Sequence, residues 1–220
     1  MARGRASGYD DQREAILASA ARLFARGGYP GTTMNEVARD CGLSKATLYH
    51  YFPDKYSLLV SIAEGHVERL QALVQEVEAQ GLEPAARLRE LILRFVREYA
   101  NAQDAHHVLT EDVKFLQPAE RQRVQAKERV VVAGFARAVG EVRPELKAAL
   151  LTTPLTMLLF GMINWMFTWM KPDGVLDYDA LAPIVADLFL GGLAAVQPRP
   201  ESPPRAARAH LSPTPTGDKR

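Results

Sequence analysis

A single cysteine, Cys41, in 220 residues rules out an internal disulfide and agrees with a reducing cytoplasm. Cys41 falls in a turn and reads as a small packing residue rather than a redox sensor. Net charge is also scarce: 27 Lys and Arg against 26 Asp and Glu leave only +1. The first 60 residues hold eight basic and six acidic side chains, a local +2. Any affinity for nucleic acid must therefore come from where charges sit rather than from how many there are. Strand-like alternation and internal repeats are absent. No Ser-His-Asp order, glycine-rich phosphate loop or paired-carboxylate motif stands out, so the chain does not read as an enzyme. His107 and Glu111 are four apart, with His106 and Asp112 adjacent. Two ligands are too few for a metal site, and no cofactor is expected. Residues 1–8 are basic and small with no apolar segment behind them, so no secretory leader is read.

What the chain has instead is one long apolar run and one dense signal for local structure. Residues 148–170 are uncharged and long enough to span a bilayer. The run is interrupted by Thr152, Thr153, Pro154, Thr156, Gly161, Asn164 and Thr168, and no second convincing span accompanies it. It is therefore read as a helix covered by protein, with no membrane involved.

The dense signal lies in residues 32–55. Thr33 precedes Glu36 by three residues, the spacing of a reciprocal N-terminal cap, which predicts a helix to about Asp40. Cys41-Gly42-Leu43 breaks it, and Gly42 suits the left-handed exit. Ser44 is a second N-cap, opening a helix from Lys45 to His50 that ends before Pro53. Two short helices joined by a tight turn containing Gly form a helix-turn-helix signature. Val37, Leu43 and Leu48 are left to face the core, and Lys45, Ala46, Thr47, Tyr49 and His50 to face outward. Ala46 lets a backbone approach a base edge, Lys45 can donate to guanine, and Thr47 and Tyr49 can reach phosphates or thymine methyls. Lys55, opening the next helix, is expected to meet a phosphate through its ammonium and the free backbone N–H groups.

From about Asp10 to Leu59 the chain resembles the N-terminal domain of the TetR family of transcriptional regulators. The resemblance is carried by Ala15-Ile16-Leu17, Leu23-Phe24, Gly27-Gly28-Tyr29, Gly31-Thr32-Thr33, residues 43–49, His50-Tyr51-Phe52 and Lys55. It implies phosphate contacts at Thr33, Thr47, His50, Tyr51 and Lys55, and base reading at Lys45, Ala46 and Tyr49, with Ser44 capping the reading helix. The partner implied is a double-stranded DNA operator.

The rest reads as all-helical. Residues 1–9 form a flexible basic arm, 10–56 a three-helix DNA-binding head and 57–196 a helical ligand-binding and dimerisation body. A long helix from Asp54 to about Gln80 links head and body. Helices follow over 84–102, 106–116, 118–142, 144–170 as one long element, and 178–196. Residues 197–220 hold six Pro and five Lys or Arg in 24 residues and read as a disordered tail.

The last two helices carry apolar residues on more than one face, which predicts a homodimer and a palindromic operator. Phe95, Tyr99, Phe115, Phe135, Phe160, Trp165 and Trp169 are expected to surround an apolar cavity with Asn164. The segment from Asn164 to Gly174 resembles TetR-family members that sense acyl-CoA thioesters. The function implied is a cytoplasmic repressor released from its operator by an apolar effector, an acyl-CoA thioester. The alternative is a multidrug-type sensor regulating an efflux system.

Overall fold

The computed structural model describes residues 3–170 and 176–198, all of it helix and connecting turn with no strand among them. The expected tail from 199 onward, and residues 171–174 of the acyl-CoA motif, lie outside the described residues. The first helix, α1 (Arg3–Gly27), begins seven residues before its expected start at Asp10. The arm reading is thereby corrected for residues 3–9: Gly4 and Gly8 weaken a helix by roughly 1 kcal/mol each but do not end it.

The next two helices are α2 (Met34–Asp40) and α3 (Lys45–Tyr51). Helix α4 (Lys55–Glu78) opens on Asp54, whose carboxylate accepts from the Ser57 N–H at 2.7 Å. At 1.5 Å per residue it is about 36 Å long, enough to cross the molecule. Glu83 precedes α5 (Pro84–Asn101), and a short α6 (Gln103–His107) follows. The expected helix over 106–116 is instead broken into α6, a π-helical turn Val108–Asp112 and a 3-10 turn Val113–Phe115. Pro118 starts α7 (Pro118–Val142), as its position predicts.

The long element expected over 144–170 is two helices, α8 (Pro144–Ala148) and α9 (Thr152–Trp169). Pro154 explains the division. In a continuous helix its ring would strike the carbonyl of Leu150 and its missing N–H would leave that carbonyl unbonded. The chain instead turns at Leu150, whose φ is 56°, while Leu151 N–H closes back on Leu146 at 2.9 Å. The last helix, α10 (Tyr178–Ala195), starts where Asp177 accepts from the Ala180 N–H at 2.7 Å. Arg143 caps its far end, donating to the carbonyls of Leu193, Ala194 and Val196.

Two apolar clusters divide the molecule, and their border differs from the expected one at residue 56. The first joins Ile16, Phe24, Val37 and Leu48 of the head to Leu58, Leu59, Ile62 and Val67 of α4, and to Val108, Leu109, Leu116 and Val124. The second holds Leu70, Val74 and Val77 with α5, α7, α9 and α10. Helix α4 thus contributes its first half to one core and its second half to the other. Val124 at the start of α7 and Val108 and Leu109 of the π-helical turn pack in the same cluster as the head.

Candidate nucleic-acid interface and regulatory body

The head is assembled by caps in register. Thr33 Oγ1 accepts from the Glu36 N–H at 3.3 Å, and the Glu36 carboxylate returns to the Thr33 N–H at 2.7 Å. The Thr33 hydroxyl, 2.8 Å from the same carboxylate, and then the Thr33 N–H hold the Glu36 carboxyl below the usual carboxylate range. Gly42 takes φ 65°, and Leu43 N–H reaches back to the Ala38 carbonyl at 2.8 Å, sealing the end of α2. Ser44 Oγ then accepts from the Thr47 N–H at 3.0 Å and opens α3. The Ser19 hydroxyl and the Arg22 guanidinium both reach Asp40, tying α1 to α2 and holding the Asp40 carboxyl below its ordinary range.

Leu48 is the buried residue of α3 and is fully enclosed. Lys45, Ala46, Thr47, Tyr49 and His50 are exposed on the opposite side, and Thr33 is exposed at the cap of α2. The Lys45 ammonium lies 5.7 Å from the centre of the Tyr49 ring one turn on. Tyr51 is half-buried. The expected outer row of α3 is therefore present on one face.

Lys55 is placed otherwise than expected. Its ammonium donates to the carbonyls of Tyr29 at 2.8 Å, Pro30 at 3.2 Å and Thr32 at 2.8 Å, so its three donors are occupied within the protein. What it leaves to a phosphate is the backbone N–H end of α4, not the side chain. The physical reason is local: the loop between α1 and α2 points three of its carbonyls at this ammonium. On its other side Asp112, pushed up by burial, faces the backbone N–H of Tyr29.

Sequence reasoning missed Tyr9. It stands on α1, 41% exposed, with its ring stacked on Tyr51 at 4.6 Å between centroids. An aromatic in a polar stretch one helix away from the turn was the available signal, and it lay hidden in the segment read as an arm.

The eight residues expected to line a cavity are not gathered around one. Phe95, Phe135 and Phe160 pack against each other, with centroids 4.6, 5.0 and 6.0 Å apart, and are buried. Tyr99 is stacked on His106 at 3.9 Å. Asn164, one turn beyond Phe160, keeps a buried Oδ1 with no hydrogen-bond partner among the described residues. Phe115 belongs to the head side, 5.4 Å from the Tyr29 ring. Trp165 and Trp169 are 66% and 53% exposed on the outside of α9. Phe95, Phe135 and Phe160 are thus core residues, and their packing against one another closes the space that a hollow would need.

A groove of about 1020 Å³ lies elsewhere, between α1, α4, the end of α5 and α6, and none of the eight lines it. Its charged residues are mostly paired: Arg69 with Glu98, Glu64 with Arg123, Glu68 with Lys127. Such walls suit an acyl chain poorly.

Beside that groove, His66 of α4 and His106 of α6 face each other, Nε2 to Nδ1 at 3.3 Å, both buried. Burial pushes both rings down, His66 to about 3 and His106 to about 4, so the pair is neutral at physiological pH.

A three-helix head with a capped helix-turn-helix, a long helix out of it and a helical body define a DNA-binding transcriptional regulator of the ligand-responsive repressor type. Residues 16–62 match the family described as "Bacterial regulatory proteins, tetR family". Residues 81–193 match "Tetracyclin repressor-like, C-terminal domain". The chain belongs to the TetR family. It is 26% identical over 196 residues to the HTH-type transcriptional repressor KstR2 of Rhodococcus jostii, covering 86% of this chain and 94% of that one. A TetR-family regulator from Bordetella parapertussis shares 36% identity and superposes with a TM-score of 0.76, over 84% of this chain and 97% of that one. AibR, solved with isovaleryl coenzyme A and operator DNA, shares 26% identity and a TM-score of 0.68, over 80% and 97% of the two chains.

Proposed function

We propose that this regulator holds a palindromic operator as a homodimer and releases it when an acyl-CoA thioester enters the body. The observation that carries the reading is an uncovered apolar stripe on the last two helices of a chain that also bears a capped polar reading helix. On α9 the stripe is Met157, Leu158, Met162, Trp165 and Trp169, and on α10 it is Ile184 and Leu188, all exposed. A Cβ built on Gly161, Gly191 or Gly192 would meet nothing within 4 Å, so the surface between these side chains is open. A second copy related by a twofold axis covers this surface with its own and doubles the reading helix. By length and composition α10 could cross a membrane, but its inner face packs into the body core and Asp187 on its outer face pairs with Arg89. A protein partner suits such a surface better than lipid, which supports a regulator that works in the cytoplasm beside its DNA.

In this reading Lys45, Ala46 and Tyr49 meet base edges. Thr33, Thr47, His50 and Tyr51 meet phosphates, Ser44 sets the helix, and Lys55 contributes through the N-terminal backbone of α4.

The effector assignment draws on AibR, whose structure holds isovaleryl coenzyme A. Its acyl part would lodge between α5, α7 and α9, parting Phe95, Phe135 and Phe160, with the unpartnered Asn164 Oδ1 accepting from the ligand. Parting them pushes α7 against α4, where Gly134 already leaves no room for a methyl group beside Val74. A coupling of about 1–3 kcal/mol between the two sites would weaken operator binding some 5–150-fold.

The test is displacement of a selected operator duplex by acyl-CoA compounds of graded chain length, with free acids as controls. Release at micromolar thioester, with the thioester recovered intact, is expected. Release by planar aromatic compounds and by no thioester would transfer the assignment to a multidrug-type sensor.

A further inference from the structure

We propose that Tyr9 is a further DNA-contact residue, held by ring stacking so that its hydroxyl meets a backbone phosphate beside the end of α3. The inference rests on α3 being the reading helix, as proposed above.

Three rings from two helices make one aromatic corner. Tyr9 of α1 lies nearly parallel to Tyr51, 4.6 Å between centroids and 23° between planes. It stands edge-on to His50 at 6.5 Å and 87°. His50 and Tyr51 are themselves edge-on at 5.8 Å. His50 is on the exposed side of α3, and 41% of Tyr9 remains exposed beside it.

Burial and stacking of this ring would hold a phenylalanine as well as a tyrosine, so packing alone gives no reason for the hydroxyl at this position. The stack does fix the ring, which removes in advance the side-chain entropy that a hydrogen bond from the phenol would otherwise cost. No hydrogen-bond partner for that hydroxyl occurs among the described residues. A neutral donor flanking a helix that lies in the major groove meets the phosphates at the groove's border rather than the bases.

The experiment compares wild type, Tyr9→Phe and Lys45→Ala on a selected operator and on a scrambled duplex, across a salt series. Tyr9→Phe keeps the stack and removes only the hydroxyl. It is expected to weaken binding to both duplexes by about 10- to 150-fold, the worth of one hydrogen bond to a charged acceptor. Its thermal midpoint should match wild type. The salt slope should also be unchanged, because a neutral hydroxyl displaces no counterion. Lys45→Ala is expected to lose the preference for operator over scrambled DNA. Tyr9→Phe binding both duplexes within about twofold of wild type overturns the inference. Wild type without any duplex preference overturns the reading of α3 instead, and the two failures are told apart.

Discussion

The ammonium of Lys55 lies 2.8 Å from the carbonyl oxygen of Tyr29 and 4.5 Å from the centre of its ring. One side chain at the start of α4 thus pins the loop that delivers Thr33 to the surface. With Asp112 facing the N–H of the same Tyr29, the loop is held from α4 on one side and from the π-helical turn on the other.

Lys55→Met should therefore cost stability rather than a phosphate contact. Loss of the carbonyl bonds at this half-buried position is expected to lower unfolding free energy by about 1–3 kcal/mol in urea titration. The salt slope of operator binding should stay at the wild-type value. A slope reduced by about one unit would show instead that the ammonium reaches DNA.

The buried histidine pair predicts acid sensitivity. Both rings are neutral when folded, with His66 near 3 and His106 near 4, whereas an unfolded chain takes up protons near 6.5. The unfolded state then binds more protons below 6.5, so stability is full above that pH and falls as pH drops toward 4 and 3. Urea titrations at pH 7 and pH 5 should differ by about 2–4 kcal/mol, and His66→Phe should reduce the difference by about half. Equal midpoints for wild type at the two pH values would contradict the buried, neutral pair.

Helix α7 approaches α4 closely at Gly134, where a Cβ would stand 2.6 Å from Val74 Cγ1. Gly134→Ala must push the helices apart and is expected to cost about 1–3 kcal/mol despite the higher helix propensity of alanine. A more stable Gly134→Ala protein would mean that the contact relaxes without strain.

Leu188 is 65% exposed on α10 in the single chain. Leu188→Glu places like charges at the expected twofold contact and should elute as a monomer on sizing. Operator affinity should fall by about 100-fold or more, because two heads no longer act as one ligand. An intact Leu188→Glu dimer would move the interface elsewhere.

The head was legible because its determinants are local. Thr33 with Glu36, Gly42, and Ser44 with Thr47 are joined within a few residues of each other, and each of those bonds is present. The starts of α5 and α7 at Pro84 and Pro118 follow from the same kind of rule. The break between α8 and α9 was also written in the chain at Pro154, but the uncharged run around it masked the stop.

The fate of the larger side chains was decided only by the tertiary structure. Phe95, Phe135 and Trp165 look alike as aromatic residues on helices, yet two fill the core and the third stands in the open on α9. Lys55 and Lys45 look alike as cations near the turn, yet one bonds three carbonyls and the other stays exposed. Backbone caps and proline stops act over three or four residues, so the sequence alone determined the all-helical class and the helix-turn-helix. Whether a ring or an ammonium meets protein or solvent depends on helices tens of residues away, and only their packing could decide it.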